Sequence, residues 1–411
     1  MKKNSDNSTT ASEAESMPEF SADWDLQEDL PTITVLQVIP TLGADGGVER
    51  GTVEIAQALV EAGRRAIVAS AGGPKVHELS RIRAEHVILP LSSKNPLSIY
   101  ANIDRLTKLI EEQGVDIVHA RSRAPAWSAY FAAKRTGRPF ITTFHGTYSA
   151  GSRLKRKYNS IMTRGERVIA ISAFIAGHVR RFYGVPPSKI RVIHRGVDLN
   201  KFDTHLVTPE RVASLAGDWR LPDGMPVVML AGRLTRWKGQ LVFIEAVAKL
   251  GRSDIRCLLV GGDQGREEYR RELESLANRL GVDGVVRIVD HCEDMPAAYM
   301  LTDVVVSAST DPEAFGRVVV EAQALGRPVI AADHGGARET VVEGKTGWLV
   351  PPGDANALAL AIERVLALNK SARATLAADA IASVRKNFSK QDMCRKTLDV
   401  YKEVLLGGRG A

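Results

Sequence analysis

At 411 residues, 44% hydrophobic and 25% charged, the chain is long enough for two domains and has a globular composition that excludes a fibrous or wholly disordered protein. No apolar run reaches the ~18 residues that span a bilayer, and MKKNSDNSTTASEAESMPEF at the start lacks the apolar core of a secretory signal. Three scattered cysteines, Cys257, Cys292 and Cys394, argue against a disulfide framework or a zinc site, so the expected location is cytoplasmic.

The net charge of +7 is uneven. Residues 1–30 hold 2 Lys/Arg against 8 Asp/Glu, residues 31–205 hold 26 against 13, and residues 206–411 hold 27 against 27. The first stretch is polar, acidic and expected to be a disordered tail. Its triplet Asp23-Trp24-Asp25 has the form of a metal-binding DXD, but a flexible tail does not hold ligands rigidly, and no metal is expected. The basic stretch suits a phosphorylated substrate, an anionic lipid surface or nucleic acid, or serves only solubility. No nucleic-acid-binding module is recognisable, so no nucleic acid is expected.

From residue 32 a strand–helix alternation begins. TITVLQVI (32–39) reads as a strand, TLGADGG (41–47) as a glycine-bearing loop, and VERGTVEIAQALVEAG (48–63) as a helix ending at Gly63. Further strands are expected at RAIVASAG (65–72), HVILPL (86–91), DIVHAR (116–121), PFITTFHG (139–146), RVIAIS (167–172) and KIRVIHRG (189–196). A looser stretch covers residues 199–224. The alternation then restarts with PVVMLAGRL (226–234), RCLLVGGD (256–263), VVRIVD (285–290), DVVVSAS (303–309), PVIAAD (328–333) and GWLVP (347–351). Parallel βαβ units repeated twice give an α/β chain of two Rossmann-like doubly wound domains, 31–205 and 206–386, facing an interdomain cleft. The amphipathic stretch 387–411 closes the second domain or crosses back to the first.

Two short segments carry charge where chemistry needs it. In AGRLTRWKG (231–239), Arg233 and Lys238 lie on a strand-to-helix loop between Gly232 and Gly239, where two cations can hold a leaving diphosphate or remain solvated. In DPEAFGRVVVEAQALGRPVI (311–330), Glu313 stands at the mouth of a helix beginning near Arg317, whose first N–H groups lack partners. Glu321 falls inside the following apolar run. A buried carboxylate needs a partner, which vicinal hydroxyls of a ribose or a structural arginine would supply.

The pair Glu313…Glu321 resembles the E-x₇-E signature of the retaining glycosyltransferases of family 4, which have the GT-B fold. The likeness continues through EAQALGRPVIAADHGGARETVVEGKTGWLVPPGD (321–354), GRLTRWKG (232–239), IHRGVD (193–198), FHGT (144–147) and the Gly46-Gly47 loop, in order. The resemblance implies transfer of a hexose from a nucleotide-diphosphate sugar, without cofactor or metal. It implies Glu313 at the donor sugar, with Phe315, Gly316, Arg317 and Val318 offering backbone N–H groups. It puts Glu321 on the ribose, Arg233 and Lys238 on the diphosphate, and Gly46 and Gly47 close to the phosphate. His145 would face the sugar, and Ile288 and Val289, beside Arg287 and the weaker candidate Asp290, would meet the base. Gly335-Gly336 and Glu339 read as no more than a helix cap. Arg195 and Arg338 are left open between salt bridges and substrate contacts.

A narrower likeness, in residues 119–148 and 154–162, is to a branch that builds bacterial cell envelopes, usually the lipopolysaccharide core. It implies a lipid-linked glycan acceptor and a peripheral position on the anionic inner face of the membrane. The alternatives are a soluble acceptor and a non-catalytic sugar-nucleotide-binding protein.

Overall fold

The computed structural model describes residues 32–44, 46–148 and 152–407. The acidic tail and its Asp23-Trp24-Asp25 triplet lie outside the described residues.

Two parallel sheets form the frame. The first holds β1 (Thr34–Val38), β2 (Arg65–Ser70), β3 (Glu85–Ile88), β4 (Ile117–Ala120), β5 (Phe140–Phe144), β6 (Arg167–Ala170) and β7 (Ile190–Val192), in the order β3-β2-β1-β4-β5-β6-β7. The second holds β8 (Val227–Ala231), β9 (Arg256–Val260), β10 (Val286–Val289), β11 (Val304–Ser307), β12 (Val329–Ala332) and β13 (Trp348–Val350), in the order β10-β9-β8-β11-β12-β13. Central strands such as VVMLA in β8 are buried along their whole length, because helices cover both faces of a parallel sheet. That is why they read as continuous apolar runs rather than alternating ones. Each such buried side chain contributes roughly 1.5–3 kcal/mol.

Strand order reverses between β1 and β4 and again between β8 and β11, and each reversal opens a crevice at the carboxyl ends of the strands. Residues 39–44 and 121–122 flank the first crevice. Loops 232–239 and 308–316 flank the second. The second pair touch: Thr310 N donates to Trp237 O at 2.8 Å. Gly239, at φ +76°, is required there, since a Cβ would stand 1.8 Å from Ala308 O.

Every expected strand is present, most of them trimmed at the ends. HVILPL stops at Ile88, ahead of Pro90, which has no N–H for the ladder. The looser stretch differs from expectation: it contains a helix, Pro209–Asp218, started by proline at its first turn and capped by the Thr208 hydroxyl.

The helix Lys390–Gly407 returns to the first sheet. Met393, Leu398, Tyr401 and Val404 join the core formed by β1, β2 and the helix Gly47–Glu61. Glu403 accepts from Arg167 Nε at 2.7 Å and from Arg191 Nε at 2.9 Å, tying the helix to β6 and β7. Among the described residues no helix is long and apolar enough to cross a membrane.

Candidate functional site

Glu313 lies within the loop after β11 and points to Lys238 on the loop after β8. Its Oε1 accepts from Lys238 Nζ at 2.8 Å, Ser309 Oγ at 2.6 Å and Ser307 Oγ at 3.4 Å. Burial alone would raise the Glu313 pKa, but the Lys238 charge and these hydrogen bonds outweigh it, so the carboxyl is held below its ordinary range. Oε2 makes no hydrogen bond among the described residues and is free to accept from a hydroxyl.

The helix Arg317–Ala324 starts at Gly316, which has φ +85° and no side-chain cap. The N–H groups of Phe315, Gly316, Arg317 and Val318 donate to nothing among the described residues, as suits an anion or a hydroxylated ligand. Arg317 Nη2 is buried with no partner. The loop is braced from behind by residues that looked like a mere helix cap. Gly336 N donates to Glu313 O at 2.8 Å. A Cβ on Gly335 would stand 2.4 Å from Glu313 O, and one on Gly336 2.5 Å from Phe315 Cα. The two glycines let the loops after β11 and β12 pack backbone to backbone.

Glu321 is 7% exposed. Its partners are Arg50, at 3.2 Å from the opposite domain, and Tyr299 Oη, also at 3.2 Å. The structural-arginine alternative is therefore the one seen without ligand. Arg50 is 42% exposed at its side chain and can yield to a competing hydroxyl pair.

His145 lies at the end of β5, with Nδ1 paired to the Arg195 guanidinium. A guanidinium only donates, so Nδ1 accepts and the ring proton sits on Nε2. That Nε2 is buried with no partner. Burial, together with Arg195 and Arg121, pushes the His145 pKa well below its ordinary 6.5, so the ring is a neutral donor.

The other expected positions are less gathered. Arg233 is exposed, and its side chain contacts no described acid. Gly46 and Gly47 open the helix Gly47–Glu61, which has no side-chain cap. Neither needs positive φ, and a Cβ on Gly47 would meet nothing within 4 Å. Ile288 and Val289 lie on β10, the edge strand, separated from β8 by β9. Arg287 Nη1 donates to Trp219 O, and Asp290 is engaged by Arg270 at 2.5 Å. Arg338 pairs with Asp333 at 2.7 Å.

Glu339 joins the two domains. Its carboxylate accepts from Ala173 N and Phe174 N at 2.7 Å each, at the start of the helix Ala173–Tyr183, and pairs with His194 Nε2 at 2.8 Å. Ser172 Oγ adds a 2.6 Å bond to Ala314 O in the Glu313 loop. Spacing within one domain gave no sign of this clasp, because its partners are more than 140 residues away in sequence.

Two doubly wound domains, with an acid–lysine pair and an open helix start on one side of the cleft and a neutral histidine donor on the other, define a glycosyltransferase architecture. The comparisons agree: the model for Glycosyltransferase Family 4 matches residues 45–201 and that for Glycosyl transferases group 1 matches residues 214–381. A D-inositol 3-phosphate glycosyltransferase of Xylanimonas cellulosilytica is 31% identical over 89% of this chain and 93% of its own length. This chain belongs to the family 4 glycosyltransferases. In structure it is similar to a glycosyltransferase from Rickettsia africae (39% identity, TM-score 0.85, 92% of this chain and 99% of that one). It is also similar to Anabaena HepE crystallised with UDP-glucose (25% identity, TM-score 0.79, 90% and 100%). The curated relative's name points to an inositol phosphate acceptor, so the narrower lipopolysaccharide-core expectation finds no support in it.

Proposed function

We propose that the chain is a retaining glycosyltransferase that moves a hexose from a nucleotide-diphosphate sugar to an acceptor bound on the first domain. The observation that carries this reading is the Glu313–Lys238 pair beside the unpaired N–H groups of residues 315–318 on the second domain, with the neutral His145 ring at the end of β5 on the first. Glu313 Oε2 and His145 Nε2 orient the sugar. Lys238, Arg233 and the helix start stabilise the diphosphate as it takes the electron pair of the breaking C1–O bond. The acceptor hydroxyl then bonds C1 from the same face and passes its proton to the departing phosphate, so no protein nucleophile is needed. Domain closure excludes water from the cleft. HepE, crystallised with UDP-glucose, supports a uridine-linked donor.

The test is a hydrolysis and transfer screen of UDP-, GDP- and ADP-hexoses with the purified protein, repeated in EDTA. Release of one nucleoside diphosphate, unaffected by chelation, is expected. Loss of activity in EDTA with rescue by one divalent ion would contradict the role given to Lys238 and Arg233.

Two acceptor readings have support. The name of the relative favours a soluble phosphorylated polyol. The helix Arg153–Asn159, with Arg153, Lys155, Arg156 and Lys157 all exposed beside an 82% exposed Leu154, favours a lipid-linked acceptor at an anionic membrane. Co-sedimentation with anionic liposomes separates them: binding lost when the four cations become Gln supports the membrane, and no binding at low salt leaves the soluble acceptor.

A further inference from the structure

Arg121 follows β4, beside the first switch point, and Arg195 follows β7. Both are almost wholly buried, at 3% and 7% exposure. Their guanidiniums converge over Gly51, in the helix that follows the Gly46-Gly47 loop. A Cβ there would lie 2.2 Å from Arg195 Nη1 and 3.0 Å from Arg121 Nη2. Neither forms an ion pair with a carboxylate among the described residues, and Arg121 Nε is buried without a partner. The buried Glu54 acts on both arginines through space, and Glu49 on Arg195, while Arg121 and Arg317 repel Arg195. Burial first, then this repulsion, brings the Arg195 pKa down to about 9. Two buried like charges with no carboxylate in hydrogen-bonding contact are costly even with Glu54 nearby, and an anion between them would offset that cost.

We propose that Arg121 and Arg195, over Gly51, form a binding site for an acid group, phosphate or carboxylate, carried by the acceptor. The donor diphosphate already has Lys238, Arg233 and the Arg317 helix start on the second domain, whereas these arginines stand on the first. The proposal rests on the glycosyltransferase reading for the word acceptor, but the anion site itself does not. Arg195 has a second task, since it also holds His145 in its donor tautomer. An acid seated there would fix the acceptor relative to the group that orients the sugar.

The experiment is a calorimetric and melting-temperature titration of the full chain with inorganic phosphate, in excess UDP so that the donor cations are occupied. One saturable phosphate site is expected, weakened about tenfold or more in Arg121→Gln and Arg195→Gln, as for loss of a charge-assisted hydrogen bond. Arg236→Gln, on the exposed loop, should bind phosphate as the wild type does. Without phosphate Arg121→Gln should melt no lower than wild type, because a buried repulsion is relieved, whereas Arg195→Gln also loses the bond to His145 and is compared by phosphate binding alone. Arg195→Lys keeps the charge and serves if a Gln variant fails to fold. Competition by a soluble sugar phosphate would support a soluble acceptor, and competition only by phosphatidic acid vesicles a lipid headgroup. Unchanged phosphate binding in both Gln variants, or its abolition by UDP, would overturn the assignment. So would equal transfer to a phosphorylated acceptor and its dephosphorylated form, and that result would leave the transferase reading standing. Phosphate binding without transfer from any donor would refute the transferase reading and keep the anion site.

Discussion

At the second-domain switch point each buried acid has a cation beside it, Lys238 at Glu313 and Arg50 at Glu321. In the first domain Arg121, beside the switch point, and Arg195, after β7, are buried over Gly51 with no acid in hydrogen-bonding contact with either among the described residues. The two domains thus hold different charge balances near their switch points. A satisfied pair is preorganised and gives a ligand fixed groups to meet, whereas an unsatisfied pair of cations is strained until an anion arrives. Under the proposed function this difference would correspond to one half that holds the donor and another that is completed by its acceptor.

The largest effect that would break this comparison is on turnover. Lys238→Ala and Glu313→Gln should each lower kcat by about 10²–10³-fold, the usual loss for one transition-state electrostatic contact. Steady-state kinetics with the preferred sugar nucleotide checks it, and near-normal kcat in a folded variant would remove that residue from the chemistry. Stability comes next. Both side chains are only 14% exposed, so Lys238→Ala leaves a buried carboxylate unpaired and should destabilise by about 3 kcal/mol. The double variant Lys238→Ala/Glu313→Ala should recover part of that loss in urea unfolding, and full additivity would deny the pairing.

A smaller effect sharpens the first-domain side. His119 is buried between Tyr401 Oη and Thr143 Oγ1, at 2.7 Å from each. Burial, then Arg121 and Arg195, depresses its pKa well below the ordinary 6.5. The unfolded chain therefore binds a proton in a range where the folded chain does not. Stability is fully present above about pH 6.5 and falls as pH drops below it, by up to ~1.4 kcal/mol per pH unit for each such histidine. Urea midpoints across pH 5–7 should show this slope, reduced in His119→Gln; a flat profile in the wild type would contradict it.

The strands were legible because a parallel sheet buried on both faces writes continuous β-branched runs, as in β8 and β12. The Glu313 loop and its helix were legible because a polar turn before an apolar helix has a local signature. What escaped the sequence is non-local. Glu339 meets the N–H groups of Ala173 and Phe174 only after two domains have folded, and Gly335-Gly336 brace the Glu313 loop through backbone packing that no spacing rule encodes. Arg121 and Arg195 are 74 positions apart and meet over a glycine in a third element, so each alone reads as one basic residue in a basic domain. The helix Pro209–Asp218 was hidden in a linker because its apolar stripe is short, with Val212 and Leu215 only partly buried against the core.

The most direct test follows the sugar itself. Transfer of a hexose from its α-linked UDP donor, read by proton NMR at the anomeric centre with UDP release monitored in parallel, should give an α-linked product in step with UDP. A β-linked product would contradict same-face transfer without a protein nucleophile, and UDP release with no glycosylated product from any acceptor would contradict the assignment of the first domain to the acceptor.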